Sequence, residues 1–493
     1  MDIPGKPLSQ LALTARGGRD PLITGLAVDS REVRQGFLFA ALPGTRVHGG
    51  SFIQYALRMG AAAILTDQTG ARLAESQLAA SDAALIVTDH PRQALAFTAA
   101  LWFGAQPATM VAVTGTNGKT SVTAFLRQIW IGLGREAINI GTTGVEGAWT
   151  APLSHTTPEP ITLHNILAQA AAAGITHGAM EASSHGLKQH RLDGVQLVAA
   201  GFSNFSQDHL DYHASFDEYF AAKAGLFRRV LPEDGTAVIN LEGERGAEMR
   251  AIAAARGQRV LTIGKGRGDL DLLAQRFDPT GQDLRFSWNG TPVQTRLNLI
   301  GGFQAENVLL ACGLAIASGE TPEEVFRTLP ELTTVRGRMQ LAATRANGAA
   351  VFVDYAHTPD AVGTALRALR PHVMGRLIAI VGAGGDRDAG KRPLMGQAAA
   401  ENADLVTVTD DNPRTENPAK IRAAVMQGAP DASEIGDRAE AILRGVDALG
   451  PGDALLIAGK GHESGQIVGD DILPFDDAEQ ASVAVAALDG KMP

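Results

Sequence analysis

The segment Thr114-Gly115-Thr116-Asn117-Gly118-Lys119-Thr120 carries the densest chemical signal in the chain. Its glycines allow the backbone to curl so that successive N–H groups face phosphate oxygens, and a helix starting at its end adds a positive field. Lys119 can reach terminal phosphates, and the Thr120 hydroxyl can ligate Mg²⁺. The usual phosphate loop has a glycine five residues before the glycine of its Gly-Lys pair. Val113 stands there, so the loop is a variant. Its chemistry is nucleoside triphosphate binding, and by itself it names no acceptor.

Three further segments hold ionisable groups. Met180-Glu181-Ala182-Ser183-Ser184-His185 offers a carboxylate, an oxygen ligand suited to Mg²⁺ opposite Thr120. The run from Asn204 to His213 packs two histidines, His209 and His213, and two acids, Asp208 and Asp211, into six residues. As a bare pattern it fits surface polar packing, a Zn²⁺ site or a Mg²⁺ site. The absence of cysteine from this run and the nearby phosphate loop favour magnesium. Lys223 lies in the apolar helical stretch Tyr219-Phe220-Ala221-Ala222-Lys223-Ala224, where a lysine ordinarily extends its ammonium to water.

The elements that must position these groups are short apolar strands alternating with helical stretches, the pattern of βαβ units around a mainly parallel sheet. Strand-like runs occur at 110–113, 178–180, 198–202 and 237–239, then again at 351–353, 377–381, 405–408 and 455–458. Earlier runs lie at 61–65 and 84–87. Val122, Phe125, Leu126 and Ile129 fall on one face of a helix after the phosphate loop. Residues 284–300 read instead as a hairpin turning at Asn289-Gly290. The polar and glycine-rich segments follow the strand runs. In open α/β sheets ligands bind beyond the carboxyl ends of the strands, so two clefts are expected, one for each of the later sheets.

The remaining features narrow the class. A length of 493 residues implies several domains, and boundaries are expected near 105 and 335. A net charge of −10 argues against non-specific nucleic-acid binding. Cys312, the single cysteine, sits in an apolar helical pattern and is expected to be buried, and one cysteine cannot form an intrachain disulfide. The first residues lack a signal-peptide core and no apolar run has membrane-spanning length, so a cytoplasmic protein without membrane insertion is expected.

Together these segments resemble the Mur ligase family, the ATP-dependent amide ligases of peptidoglycan synthesis. The resemblance rests on residues 114–120, Glu181 to His185, Asp208 to His213, Asn307 after Gly302-Phe303, Arg336-Gly337-Arg338, and Asp354-Tyr355-Ala356-His357-Thr358-Pro359. It runs over essentially the whole chain. It implies an α/β fold of three domains: a small N-terminal UDP-binding domain over 1–105, a central P-loop ATPase-like domain with a mainly parallel sheet over 106–335, and a C-terminal Rossmann-like domain over 336–493. It implies ATP at Gly115, Thr116, Asn117, Gly118, Lys119, Thr120, Asn307, Arg338 and Asp354. It implies Mg²⁺ at Thr120, Glu181, His209 and a carbamylated Lys223. Lys119, Lys223, Glu181 and His209 are the expected catalytic set. The chain departs from the commoner family pattern at Leu241-Glu242 after Asn240, and at Gln304.

Substrate expectations follow from the same resemblance. Asp29-Ser30-Arg31 is similar to a uridine-binding segment, and Thr156-Thr157-Pro158 and Gln189-His190-Arg191 to contacts with a muramoyl dipeptide. Ser30, Thr156, Thr157, Ser183, Gln189 and Arg191 are therefore expected at UDP-MurNAc-L-Ala-D-Glu. Asp411-Asn412-Pro413-Arg414 resembles the segment that marks members adding meso-diaminopimelate. Arg414 can clamp a carboxylate bidentately and Asn412 can offer an amide. With Asp411, Pro413 and Gly459, the resemblance adds Arg387 as a second carboxylate clamp and Glu463 as ammonium acceptor. The implied enzyme acts as a monomer and forms an amide through an acyl phosphate. The alternatives are a lysine-adding ligase, a folylpolyglutamate-type ligase and a non-catalytic nucleotide-binding module. The N-terminal block weighs against the second, and the joint presence of Lys119, Glu181, His209 and Lys223 against the third.

Overall fold

The computed structural model describes residues 3–44, 47–153, 155–206, 213 and 215–490. Three main sheets follow one another along the chain. The first is parallel and four-stranded, in the order Gly25–Ala27, Phe37–Ala41, Ala63–Thr66, Ala84–Val87.

The second, ten-stranded among the described residues, has Thr109–Thr114 near its middle. That strand is buried almost throughout, which is why it reads as a continuous apolar run without alternation. His177–Glu181 and Leu197–Phe202 flank it in parallel. Register decides what meets what: Glu181 lies level with Val113, and Phe202 level with Thr114. The segments leaving all three strands must therefore emerge side by side.

One edge of this sheet is the antiparallel hairpin Gly281–Trp288/Thr291–Leu297, with Asn289 at φ 47° and Gly290 at φ 82°. Positive φ at both central residues is what a type I′ turn demands, and Asn-Gly supplies it. Lys119–Gly132 buries Val122, Phe125, Leu126, Ile129 and Trp130 in one core with Leu309, Leu310 and Leu314 of the helix Phe303–Ala317. Cys312 is part of that core, and burial raises its thiol pKa well above the usual range.

The third sheet has the order Gln340–Thr344, Ala350–Asp354, Ala454–Ala458, Leu377–Val381, Leu405–Val408, Ser433–Glu434. All its pairs are parallel except the first. Asp354 pairs with Ala458, and Val381 with Val408. The loops after these four strands consequently share one sheet edge.

Helix Pro91–Phe103, which follows the first sheet, packs on Pro160–Ala172 of the second body. His164 is buried there with its Nε2 unpartnered among the described residues, and burial lowers its pKa from 6.5 to about 4. The unfolded chain thus binds the proton more readily, so the stability His164 contributes is full above pH 6.5 and is lost as pH falls toward 4. His164→Gln is expected to reduce the drop in thermal midpoint between about pH 7.5 and about pH 5. Differential scanning calorimetry at the two pH values checks it; an unchanged drop contradicts the assignment.

Candidate active site

Gly118, at φ 84°, opens the helix Lys119–Gly132, and Gly115 lies at φ 151°. A Cβ on Gly115 would sit 1.9 Å from Ser203 Oγ, and one on Gly118 2.5 Å from Asn307 Oδ1. Both glycines are required by close packing as well as by backbone conformation.

The loop is held from the side by the chain leaving Leu197–Phe202. Asn204 Oδ1 accepts from Asn117 N (2.9 Å), Ser203 Oγ donates to Asn117 O (2.6 Å), and Ser206 N donates to Thr116 Oγ1 (3.0 Å). Lys119 Nζ donates to the carbonyls of Gly115 (3.0 Å) and Thr116 (2.9 Å), a curled pose over the loop. From the far side Asn307 is braced by Gln304, whose Oε1 accepts from Asn307 Nδ2 at 3.0 Å. Gln304 thus does structural work for the loop. Glu242 faces elsewhere, accepting from Lys265 N and Arg267 Nε.

Glu181 is buried beside Thr120. Its Oε1 accepts from Thr120 Oγ1 (3.0 Å) and Thr142 N (2.8 Å), and Oε2 accepts from Thr142 Oγ1 (3.4 Å). Gly141 makes room, since a Cβ there would lie 2.1 Å from Oε1. Two hydroxyls and a carboxylate form a hard oxygen set of the kind Mg²⁺ prefers.

Lys223, buried on the helix Phe216–Gly225, donates to Gly115 O at 2.6 Å and lies 4.4 Å from the Tyr219 ring centroid. It therefore points inward to the phosphate loop instead of extending to water. An ammonium does not suit a metal site; a carbamate on that nitrogen would. His209 lies outside the described residues, as do Asp208 and Asp211.

The third sheet closes the cavity. Arg338 Nη2 donates to Thr120 Oγ1 (3.3 Å), its guanidinium carbon lies 4.5 Å from the Tyr355 ring, and its buried Nε has no hydrogen-bond partner among the described residues. Burial raises the pKa of the enclosed Asp354 carboxyl, against the pull of Arg338 and the Met339 and Ala356 N–H groups. The resulting cavity of about 470 Å³ is lined by Lys119, Thr120, Glu181, Lys223, Asn307 and Arg338, together with the Asp354 to Thr358 segment. Thr156 and Ser183 also line it.

Other expected residues lie off this cavity. Thr157 is buried, and its hydroxyl donates to Glu181 O and accepts from Ser183 N, so it shapes the loop bearing Glu181. Gln189 and Arg191 pair with each other, and Arg191 also donates to Thr157 O. Ser30 follows the strand Gly25–Ala27 of the first sheet, and the neighbouring Asp29 grips Arg31, which lowers the Asp29 pKa to about 2.

The expected amino-acid residues form a second cluster along the third sheet's edge. Asn412 Nδ2 donates to Glu463 Oε2 (2.9 Å), Arg414 Nη1 to Gly385 O (2.8 Å), and Arg387 is exposed. Asp411 is buried against Gly459, where a Cβ would lie 2.3 Å from Asp411 Oδ2. Arg414 sits at φ 50°, held by exchange of hydrogen bonds with the hairpin Gly465–Val468/Asp471–Pro474. Tyr355 connects the two clusters. Its ring packs on Arg338, His357 and His462, and burial, Glu463 and Asp411 raise its pKa.

Thr142 and the Gly465–Pro474 hairpin escaped sequence reasoning as parts of the site, while Asn204 and Tyr355 stood in quoted segments without a role of their own. Thr142 follows the unanticipated strand Ala137–Gly141, and the hairpin's role depends on a backbone pairing with no side-chain signature.

Comparison with known proteins decides the family. Three family models match in order: Mur ligase family, catalytic domain, at 22–102; Mur ligase middle domain at 113–315; and Mur ligase, glutamate ligase domain, at 337–461. The chain belongs to the Mur ligase family. A relative of this Mur ligase from Bradyrhizobium diazoefficiens is 50% identical over 94% of this chain and 95% of its own. Another from Caulobacter vibrioides is 47% identical over 95% and 97%. Both are named UDP-N-acetylmuramoyl-L-alanyl-D-glutamate--2,6-diaminopimelate ligase. A solved structure of the same name matches with a TM-score of 0.71 at 32% identity, covering 98% of this chain and 99% of that one. Among the described residues no helix is long and apolar enough to cross a membrane.

Proposed function

We propose that this Mur ligase joins meso-diaminopimelate to UDP-MurNAc-L-Ala-D-Glu, consuming ATP and releasing ADP and phosphate. The observation that carries the reading is a phosphate loop, a buried carboxylate and an inward-pointing lysine in one cavity, which Tyr355 also lines while its ring packs on His462 and its hydroxyl feels the charges of Asp411 and Glu463. Relatives at 50% and 47% identity that bear the matching name support the choice of substrates.

In this reading the D-Glu carboxylate of the dipeptide attacks the γ-phosphorus, the bond to the β-phosphate oxygen breaks, and ADP leaves. The amine of the diamino acid then attacks the acyl carbonyl, loses a proton and expels phosphate. The protein's contribution is positioning and charge neutralisation. Lys119 exchanges its loop carbonyls for phosphate oxygens. Arg338 brings a cation from the third sheet to Thr120 at the same point. Thr120, Glu181, His209 and carbamylated Lys223 would hold Mg²⁺, which supplies charge neutralisation for the phosphates when bound. The carbamate forms when the Lys223 ammonium gives up one proton, the free amine adds CO₂ through Nζ, and a second proton leaves the nitrogen. Ser30, Thr156, Thr157, Ser183, Gln189 and Arg191 serve the UDP-linked dipeptide, with Thr157 acting through the Glu181 and Ser183 backbone. Arg387 and Arg414 face carboxylates of the diamino acid, and Glu463 faces its distal ammonium.

The same reading places domain boundaries near 105 and 335 and assigns a monomeric cytoplasmic enzyme. An acceptor panel with purified protein, ATP and the UDP-linked dipeptide tests it. Phosphate release with meso-diaminopimelate is expected to exceed release with L-lysine by roughly a hundredfold or more, because lysine leaves the arginine clamp without a carboxylate. Preference for lysine, or ATP turnover independent of both substrates, would overturn it.

A further inference from the structure

Lys460 is fully buried, yet it lies outside the nucleotide cavity and none of the roles above uses it. It follows the strand Ala454–Ala458, on the segment that also bears Glu463. Its Nζ donates to Asn412 Oδ1 at 2.9 Å and lies 3.5 Å from Glu463 Oε2. Asn412 Oδ1 also accepts from Ile467 N at 2.9 Å. Two donors converging on that atom fix it as the oxygen, which turns the amide nitrogen toward Glu463 Oε2, 2.9 Å away. Glu463 Oε2 is thereby anchored from two sides, while Oε1 has no hydrogen-bond partner among the described residues. The Glu463 side chain is 33% exposed and the Lys460 side chain 0%.

We infer that Lys460 is a positioning residue that sets specificity for the distal ammonium of the amino-acid substrate. A buried cation cannot swing out to water without leaving a void and a lost ion pair. It therefore holds one carboxylate oxygen of Glu463 in place, together with the Asn412 amide. The second oxygen is left aimed outward for a substrate ammonium. Arg414 and Arg387 recognise anions and cannot make this distinction, so selection for the amino group rests on Glu463 and the ammonium behind it. The inference rests on the proposed diaminopimelate reading and deepens it.

The test compares meso-diaminopimelate with 2-aminopimelate, which keeps both carboxylates and one amine but lacks the distal amino group. Lys460→Met removes the charge at similar volume. It is expected to lower kcat/KM for meso-diaminopimelate roughly ten- to hundredfold. The value for 2-aminopimelate should change less than about threefold, and KM for ATP should hold. Equal losses for both acceptors, or no loss, would overturn the inference by reducing Lys460 to a structural or idle residue. Should Lys460→Met prove unstable, Lys460→Gln carries the test, since it keeps a donor to Asn412 without the charge; the same selective loss is expected, and equal losses again overturn it. Wild-type protein that ligates neither acceptor defeats the functional reading itself. Wild-type activity with meso-diaminopimelate combined with unselective losses in the variants defeats only the role of Lys460.

Discussion

Lys223→Ala is expected to lower ligation by roughly a thousandfold or more, the scale at which removing groups that stabilise phosphoryl transfer registers. Lys223 is 1% exposed, and its nitrogen is within hydrogen-bond reach of the phosphate-loop carbonyl of Gly115. Two chemistries fit that place. As an ammonium, Lys223 pins the loop through Gly115 O. As a carbamate, it presents oxygens toward the site of the terminal phosphates and the metal. Small-molecule rescue separates them. Truncation to alanine leaves a space lined by Tyr219 and Gly115. A carboxylate such as acetate or propionate entering that space restores an anion; propylammonium restores a cation. Partial recovery of phosphate release with the acids and none with the amine is the expected result. Recovery with the amine alone would assign Lys223 the loop-pinning role and remove the carbamate from the mechanism. Full activity without any additive would remove Lys223 from catalysis.

Glu181→Gln is expected to lower kcat by roughly a hundred- to a thousandfold. The replacement is nearly isosteric, and a glutamine oxygen can keep the bonds from Thr120 Oγ1 and Thr142 N, at 3.0 and 2.8 Å. What it removes is the charge. The space is set by Gly141 against Oε1, so no larger side chain can shift the carboxylate aside. If Glu181 holds Mg²⁺ beside Thr120, the variant should need a higher Mg²⁺ concentration for half-maximal activity while its thermal midpoint stays near that of the parent. An unchanged Mg²⁺ titration together with lost activity would make Glu181 a structural acceptor for the loop after Ala137–Gly141. Near-parental activity would exclude it from the site.

Much of the site was legible because its groups sit at strand ends in short, chemically unusual segments. A Gly-Lys-Thr at a strand-to-helix junction has few uses besides phosphate, and Asn289-Gly290 between alternating runs has few besides a hairpin turn. The strands 109–114, 177–181 and 350–354 announced themselves as apolar runs because a parallel strand is covered on both faces. Gly25–Ala27 and Ala137–Gly141 did not. The first is three residues long, and the second interrupts its apolar run with buried Asn139. Local pattern carries no record of the neighbours that make such a strand.

The phosphate loop, the succession of βαβ units and the residues that carry family chemistry are readable along the chain, because these depend on backbone freedom and residue type within a few positions. Register and burial were decided only in three dimensions. The pairing of Glu181 with Val113 brings a carboxylate to Thr120 across sixty-one residues of chain. Gly115 meets Ser203, and Lys223 turns inward to Gly115 when an isolated helix would send it to water. Lys460 gives no sign in sequence of being a buried cation, since its partners Asn412 and Glu463 reach it only when two strand-end loops of one sheet edge close over it. Contacts between strand ends are set by the packing of the whole sheet, and short-range pattern cannot encode that.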